Sequence, residues 1–283
     1  MNISKVAILG AGTMGLGIAQ VSALAGYEVL LYDIHGDALK KAAEKIDQNL
    51  AKGVEKGKVS EEQIEQALKN ISYSSNSGDL KADLIIEAVI EDLEIKKTVF
   101  ANLEAINDAN AILASNTSSI PITRIAAGLQ HPGRFIGIHF FNPAHIMKLV
   151  EVISGASTLD ETRRISVEFV KSLGKVAVEA NDSPGFIVNR VARHFYVESL
   201  KVLEENVAGV EEIDDLLEST GFRMGPFRLM DLIGVDTNFS VTQSMFHAFH
   251  MDPKFRPSRI QQQKVDAGHH GRKSGKGFYD YSS

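Results

Sequence analysis

The sequence predicts an open, doubly wound α/β domain over residues 1–183, followed by a smaller all-helical domain over 184–283. Three observations carry this. The glycine turn Gly10-Ala11-Gly12-Thr13-Met14-Gly15 lies between the apolar run Val6-Ala7-Ile8-Leu9 and a helix-length stretch, Leu16 to Ala25. Short apolar runs then alternate with helix-length segments as far as Asn181-Asp182-Ser183-Pro184-Gly185, the strongest break in the chain. Beyond that break only helical patterns follow: Phe186 to Asn206, Val210 to Thr220 and Asp236 to Phe249.

Composition sets outer limits. The chain has 283 residues, 44% of them hydrophobic, enough for one large core or two smaller ones. It has no cysteine, so disulfides, thiolate metal sites and a catalytic thiol are excluded, and no metal is expected. A net charge of −6 argues against nucleic-acid binding. The stretch Val6 to Tyr27 carries no charge and ends near Ala23-Leu24-Ala25, in the manner of an export signal. Cleavage there would destroy the first strand-helix-strand unit, so a cytoplasmic protein without membrane partners is expected.

From the N-terminus, Val6 to Leu9, the glycine turn, the following helix and the run Glu28 to Asp33 spell β-α-β with the pattern G-x-G-x-x-G. Gly10 permits a sharp turn, Gly12 lets the backbone approach a pyrophosphate, and Gly15 allows close helix–sheet packing. The helix N-terminus offers unpaired N–H groups and a positive dipole end to phosphates. Asp33, 18 residues after Gly15, stands where an acid holds ribose hydroxyls. Its charge repels a 2′-phosphate, so NAD is expected over NADP. The turn is thus the mark of a Rossmann-type nucleotide fold.

Asp37 is expected to cap a helix running to Leu50, and Ser60 to Gln63 forms a capping box for a helix to about Asn70. Between Lys40 and Lys58 lie six lysines, including Lys52 and Lys56, against Glu44, Asp47 and Glu55. The plain reading is a solvated helical hairpin; the functional one is a landing site for a phosphorylated substrate handle. Leu84 to Val89 has the pattern of a buried parallel strand, with Glu91-Asp92 opening the next helix. Ala111 to Ala114 is another strand, and it runs into Ser115-Asn116-Thr117-Ser118-Ser119, at the strand end where open α/β sheets bind ligands. Arg134 to Phe141 and Met147 to Ile153 are two further strands, joined by a turn holding Asn142-Pro143. His139 and Glu151 are embedded in them. A lone histidine there is ordinarily a satisfied core residue, but Glu151 on the adjacent strand makes a facing pair feasible. A helix from Asp160 to Leu173 and a strand from Lys175 to Val178 complete the domain.

These motifs, with Gly137-Ile138-His139-Phe140-Phe141-Asn142-Pro143, Lys148-Leu149-Val150-Glu151, Asp182 to Arg190 and Gly225-Pro226-Phe227, resemble the L-3-hydroxyacyl-CoA dehydrogenases, of the short 3-hydroxybutyryl-CoA dehydrogenase kind. The resemblance covers essentially the whole chain. It implies an oxidoreductase that interconverts (S)-3-hydroxyacyl-CoA and 3-oxoacyl-CoA by hydride transfer with NAD. In that reading His139 is the base and Glu151 its partner, while Ser118 and Asn189 hold the substrate. The turn residues Gly10, Gly12, Thr13, Met14 and Gly15, with Asp33, Glu91, Lys96, Asn116, Ser118, Asn142 and Lys273, would contact NAD. Lys52 and Lys56 would meet the CoA phosphates, and the helical domain would carry a homodimer interface. The rival readings are a crystallin-like or sensor protein that binds NAD without turnover, and a dehydrogenase of a free hydroxy acid.

Overall fold

The computed structural model describes residues 3–282. The chain divides into two compact units, one ending at Ser183 and the other starting at Pro184.

The first unit begins with β1 (Lys5–Leu9), α1 (Thr13–Leu24) and β2 (Glu28–Tyr32). It continues with α2 (Gly36–Glu55), α3 (Glu61–Lys69), β3 (Ile71–Ser74), β4 (Leu84–Glu87) and α4 (Leu93–Ile106). Then come β5 (Ile112–Ser115), α5 (Ile122–Ala126), β6 (Phe135–Phe140), β7 (Leu149–Ser154), α6 (Asp160–Ser172) and β8 (Val176–Asn181). The eight strands form one sheet in the order β3-β2-β1-β4-β5-β6-β7-β8. Neighbours are parallel except β6 and β7, which pair antiparallel. The strand order reverses between β1 and β4, the switch point at which doubly wound sheets open a ligand crevice.

The central strands are apolar on both faces because helices cover both; Val6, Ile8, Leu31, Ile86, Ile112 and Ile138 are buried in one core. Helix α1 starts at Thr13, three residues earlier than the periodicity predicts, because Gly12 itself is the N-cap. The expected cap at Asp37 is displaced: His35 is the N-cap of α2 and Asp37 lies in its first turn, where a carboxylate still favours the dipole. That helix runs to Glu55, beyond the expected Leu50, so Lys52 falls in its last turn. The capping box of α3 forms as read, with Gln63 N donating to Ser60 Oγ at 3.2 Å and Ser60 N to Gln63 Oε1 at 2.9 Å.

The second unit holds α7 (Val188–Glu204), α8 (Val210–Ser219), α9 (Pro226–Ile233), α10 (Val235–Ala248) and α11 (Arg259–Asp266). Its core gathers Tyr196, Leu200, Ile213, Phe227 and Met230. Buried Asp214, on α8, caps α9 from outside: its carboxylate accepts from Phe227 N and Arg228 N, each at 2.9 Å. The same carboxylate accepts from Tyr279 Oη at 2.8 Å, and buried Asp231 accepts from Phe278 N and Tyr279 N at 2.9 Å. The basic, glycine-rich tail is therefore fastened to the helices by two interior acids. Among the described residues, no helix is long and apolar enough to cross a membrane and no cluster could hold a metal ion.

Candidate active site

The glycine turn leaves the carboxyl end of β1. Gly10 has φ +106°, and a Cβ there would lie 2.6 Å from Ala88 O. A Cβ on Gly15 would meet Gly10 O at 1.7 Å, so both positions demand glycine. Nothing lies within 4 Å of a Cβ built on Gly12. Gly12 and Thr13 are exposed at the N-terminus of α1, whose first turn contains no acid. This open, positive helix end fits a pyrophosphate. Asp33 follows β2 and ties the turn in place: Ala11 N donates to its Oδ2 at 2.8 Å and His35 N to its Oδ1 at 2.9 Å. A carboxylate has about four acceptor positions, so two backbone donors leave capacity for ribose hydroxyls.

His139 and Glu151 are direct cross-strand partners in the antiparallel β6–β7 ladder. His139 Nδ1 lies 2.8 Å from Glu151 Oε2, with the two residues 5% and 0% exposed. An ionised carboxylate only accepts, so the imidazole donates Nδ1–H to it. That tautomer makes Nε2 the basic nitrogen of the neutral ring. Phe141 packs against the imidazole, with centroids 4.5 Å apart. The pair that spacing made feasible is thus brought together by register.

A second cluster forms at the carboxyl ends of β4 and β5. Glu91 Oε1 accepts from Thr117 Oγ1 at 2.6 Å, from Ser118 N at 3.0 Å and from Ser119 N at 3.1 Å. The last three residues of the polar loop are thereby wrapped around one carboxylate. Burial works to raise the Glu91 pKa, but the Lys96 ammonium and these hydrogen bonds outweigh it and hold the carboxyl below its usual range. Lys96, expected as a cofactor contact, lies in the interior at 1% exposure. Its Nζ sits 2.6 Å from Glu87 Oε1 and 3.3 Å from Glu91 Oε2. Asn116 Oδ1 accepts from Phe140 N at 2.8 Å, which links the loop to the end of the His139 strand. Asn142 is exposed in the turn that follows β6.

Lys52 and Lys56 are both exposed at the end of α2. Nearer its middle, Lys45, together with Lys175 and the burial of the ring, pushes the His145 imidazole below its ordinary pKa. The remaining candidates belong to the second unit. Asn189 occupies the first turn of α7, and Lys273 is ion-paired to Asp236 at 2.7 Å. Sequence reasoning missed Glu87, whose place inside the strand Leu84–Val89 gave no sign of its ionic partners. The spacing to Lys96, nine residues on and across a strand–helix turn, was the one available signal.

Comparison with known proteins gives the family. Residues 5–183 match the family description "3-hydroxyacyl-CoA dehydrogenase, NAD binding domain", and residues 185–281 match that family's C-terminal domain. The chain is 48% identical over 283 residues to a 3-hydroxyadipyl-CoA dehydrogenase of Escherichia coli K12, covering 99% of this chain but 60% of that longer protein. It is 42% identical to a probable 3-hydroxybutyryl-CoA dehydrogenase of Bacillus subtilis, covering 99% of this chain and 98% of that one. Among solved structures, an (S)-3-hydroxybutyryl-CoA dehydrogenase of Ralstonia eutropha superposes with a TM-score of 0.95 at 40% identity, with both chains fully covered. The chain belongs to the 3-hydroxyacyl-CoA dehydrogenase family, and its first unit is that family's NAD-binding domain.

Proposed function

We propose that the protein interconverts (S)-3-hydroxyacyl-CoA and 3-oxoacyl-CoA thioesters, with 3-hydroxybutyryl-CoA and acetoacetyl-CoA as its substrate pair. The observation that carries this reading is the buried His139–Glu151 pair, set in the same sheet as the glycine turn. NAD, when bound, supplies the hydride acceptor. The chain must then handle the hydroxyl proton. His139 Nε2 is the base that accepts it during oxidation and the acid that returns it during reduction. Glu151 holds the ring tautomer and stabilises the imidazolium as it forms. Ser118 and Asn189 hydrogen-bond the C3 oxygen and the thioester region, and Lys52 and Lys56 meet the CoA phosphates.

The test compares acetoacetyl-CoA with free acetoacetate, following NADH absorbance at 340 nm. Turnover of the thioester with little of the free acid is the expected result. Equal rates would transfer the assignment to a free hydroxy acid, and no turnover of either would leave a nucleotide-binding protein. We further propose a homodimer formed through the second unit, which exposes Val191, Leu216, Phe222, Leu232 and Ile233. Sedimentation of the full chain at the mass of a monomer would refute this.

A further inference from the structure

Glu87 ends β4 and is fully buried, and three donors face its carboxylate. Lys96 Nζ lies at 2.6 Å and Val89 N at 2.7 Å from Oε1, and Ser115 Oγ lies at 2.6 Å from Oε2. Lys96 also reaches Glu91 at 3.3 Å. The cluster thus holds two carboxylates and one ammonium, a net charge of −1. A buried lysine needs one carboxylate to be neutralised; this one has two, Glu87 in the interior and Glu91 with its side chain 37% exposed, so the cluster keeps one negative charge on its solvent side.

Its place in the sheet gives that charge a use. Strands β4 and β5 lie between β1, which feeds the glycine turn, and β6, which carries His139. Three strand spacings of about 4.8 Å separate β1 from β6, roughly 14 Å. If the function proposed above holds, phosphates bind at the turn, and the proton and hydride leave the same carbinol group. The nicotinamide end of the cofactor must then bridge this gap, over the carboxyl ends of β4 and β5. The nicotinamide ring carries a positive charge when oxidised and none when reduced. A fixed negative charge beneath it acts on one form and not on the other.

We propose that the Glu87–Lys96–Glu91 cluster sets the preference between the two redox forms of the cofactor, its net negative charge tightening NAD+ relative to NADH. Glu87 is then a specificity-determining residue that need not touch the nucleotide. The proposal rests on the dehydrogenase reading, but its readout is binding rather than turnover.

The experiment measures Kd for NAD+ and for NADH by calorimetric titration at low ionic strength, in the wild type and in Glu87→Gln. The substitution keeps shape and one acceptor oxygen, requires the Ser115 hydroxyl to turn and accept from the new amide, and removes one charge. Kd for NAD+ should rise roughly 3- to 15-fold, the size expected for unit charges about 10–15 Å apart at an effective dielectric of 20–40. Kd for NADH should change less than about twofold on the same argument. Glu94→Gln, which removes an exposed charge from the same helix, should leave the ratio unchanged. If Glu87→Gln fails to fold by circular dichroism, Glu87→Met, which removes the same charge at similar volume, takes its place. Equal weakening of both forms, or an unchanged ratio in the folded variant, overturns the proposal. A wild type that binds neither nucleotide sinks the dehydrogenase reading and this inference together. A wild type that reduces acetoacetyl-CoA, paired with a variant of unchanged ratio, sinks this inference alone.

Discussion

Replacing Glu151 by Gln removes one charge from the buried pair while keeping its volume. In the native pair, His139 Nδ1 and Glu151 Oε2 are 2.8 Å apart and sealed from water. As the imidazole gains its proton, this contact becomes a hydrogen bond between two charged groups. Hydrogen bonds to charged groups contribute about 1.5–3 kcal/mol. Since about 1.4 kcal/mol is a factor of ten in rate, Glu151→Gln should lower kcat about 10- to 150-fold. His139→Gln removes the proton acceptor itself and should cost ~10²–10⁴-fold. Residues that act as one unit do not lose activity additively, so the double variant should fall little below His139→Gln alone. Initial rates of acetoacetyl-CoA reduction give kcat, and NADH fluorescence titration checks that cofactor binding survives. Fully additive losses, or a His139→Gln enzyme within about threefold of wild type, would mean that His139 is a core histidine and the base lies elsewhere.

Asp33 should make NADH the preferred cofactor, and Asp33→Ser should narrow the gap to NADPH; equal kcat/KM for the two in the wild type would refute the assignment. Replacing Lys52 and Lys56 together by Ala should raise KM for the acyl-CoA with kcat nearly unchanged, less so at high salt; an unchanged KM at low salt would return the lysines to a plain solvated surface. Burial, and then the hydrogen bond to the Asp214 carboxylate, raise the Tyr279 pKa above its ordinary value of 10.0. A raised folded-state value means that this contribution to stability is fully present below about pH 10 and is lost as pH climbs from there through the folded value. The melting temperature should therefore fall above about pH 10, and Tyr279→Phe should flatten that alkaline limb; an identical limb in the variant would place the effect elsewhere.

The parts of the fold that could be read from the sequence are those where local chemistry and tertiary environment agree. The buried parallel strands are continuous apolar runs, and the glycine turn requires glycine for reasons internal to the turn. Strand β3 escaped because it is an edge strand whose Ser72 and Tyr73 face solvent and break the apolar pattern. The start of α9 was hidden for a different reason: its cap comes from Asp214, on another helix, so no capping residue precedes Pro226. Helix α5, at five residues, is too short to show a period, and α11 buries only Gln261. Within the candidate site, His139 and Glu151 stood out as polar residues in apolar runs. Lys96 was expected to reach the cofactor, and its burial was not legible because a side chain's burial depends on what crosses over it. Only the fold reveals that Glu87 and Glu91 enclose it from two sides.

The antiparallel pairing of β6 with β7 makes the intervening turn a spacer of fixed length. Lys175 anchors that turn, donating to Ala144 O at 2.7 Å and Met147 O at 2.8 Å. Side chains alternate faces along a strand, so a one-residue change of length passed into β7 would bring Val150 or Val152 opposite His139 and turn Glu151 to the other side of the sheet. An insertion or deletion anywhere in 141–148 would therefore break the His139–Glu151 pair even with both residues kept.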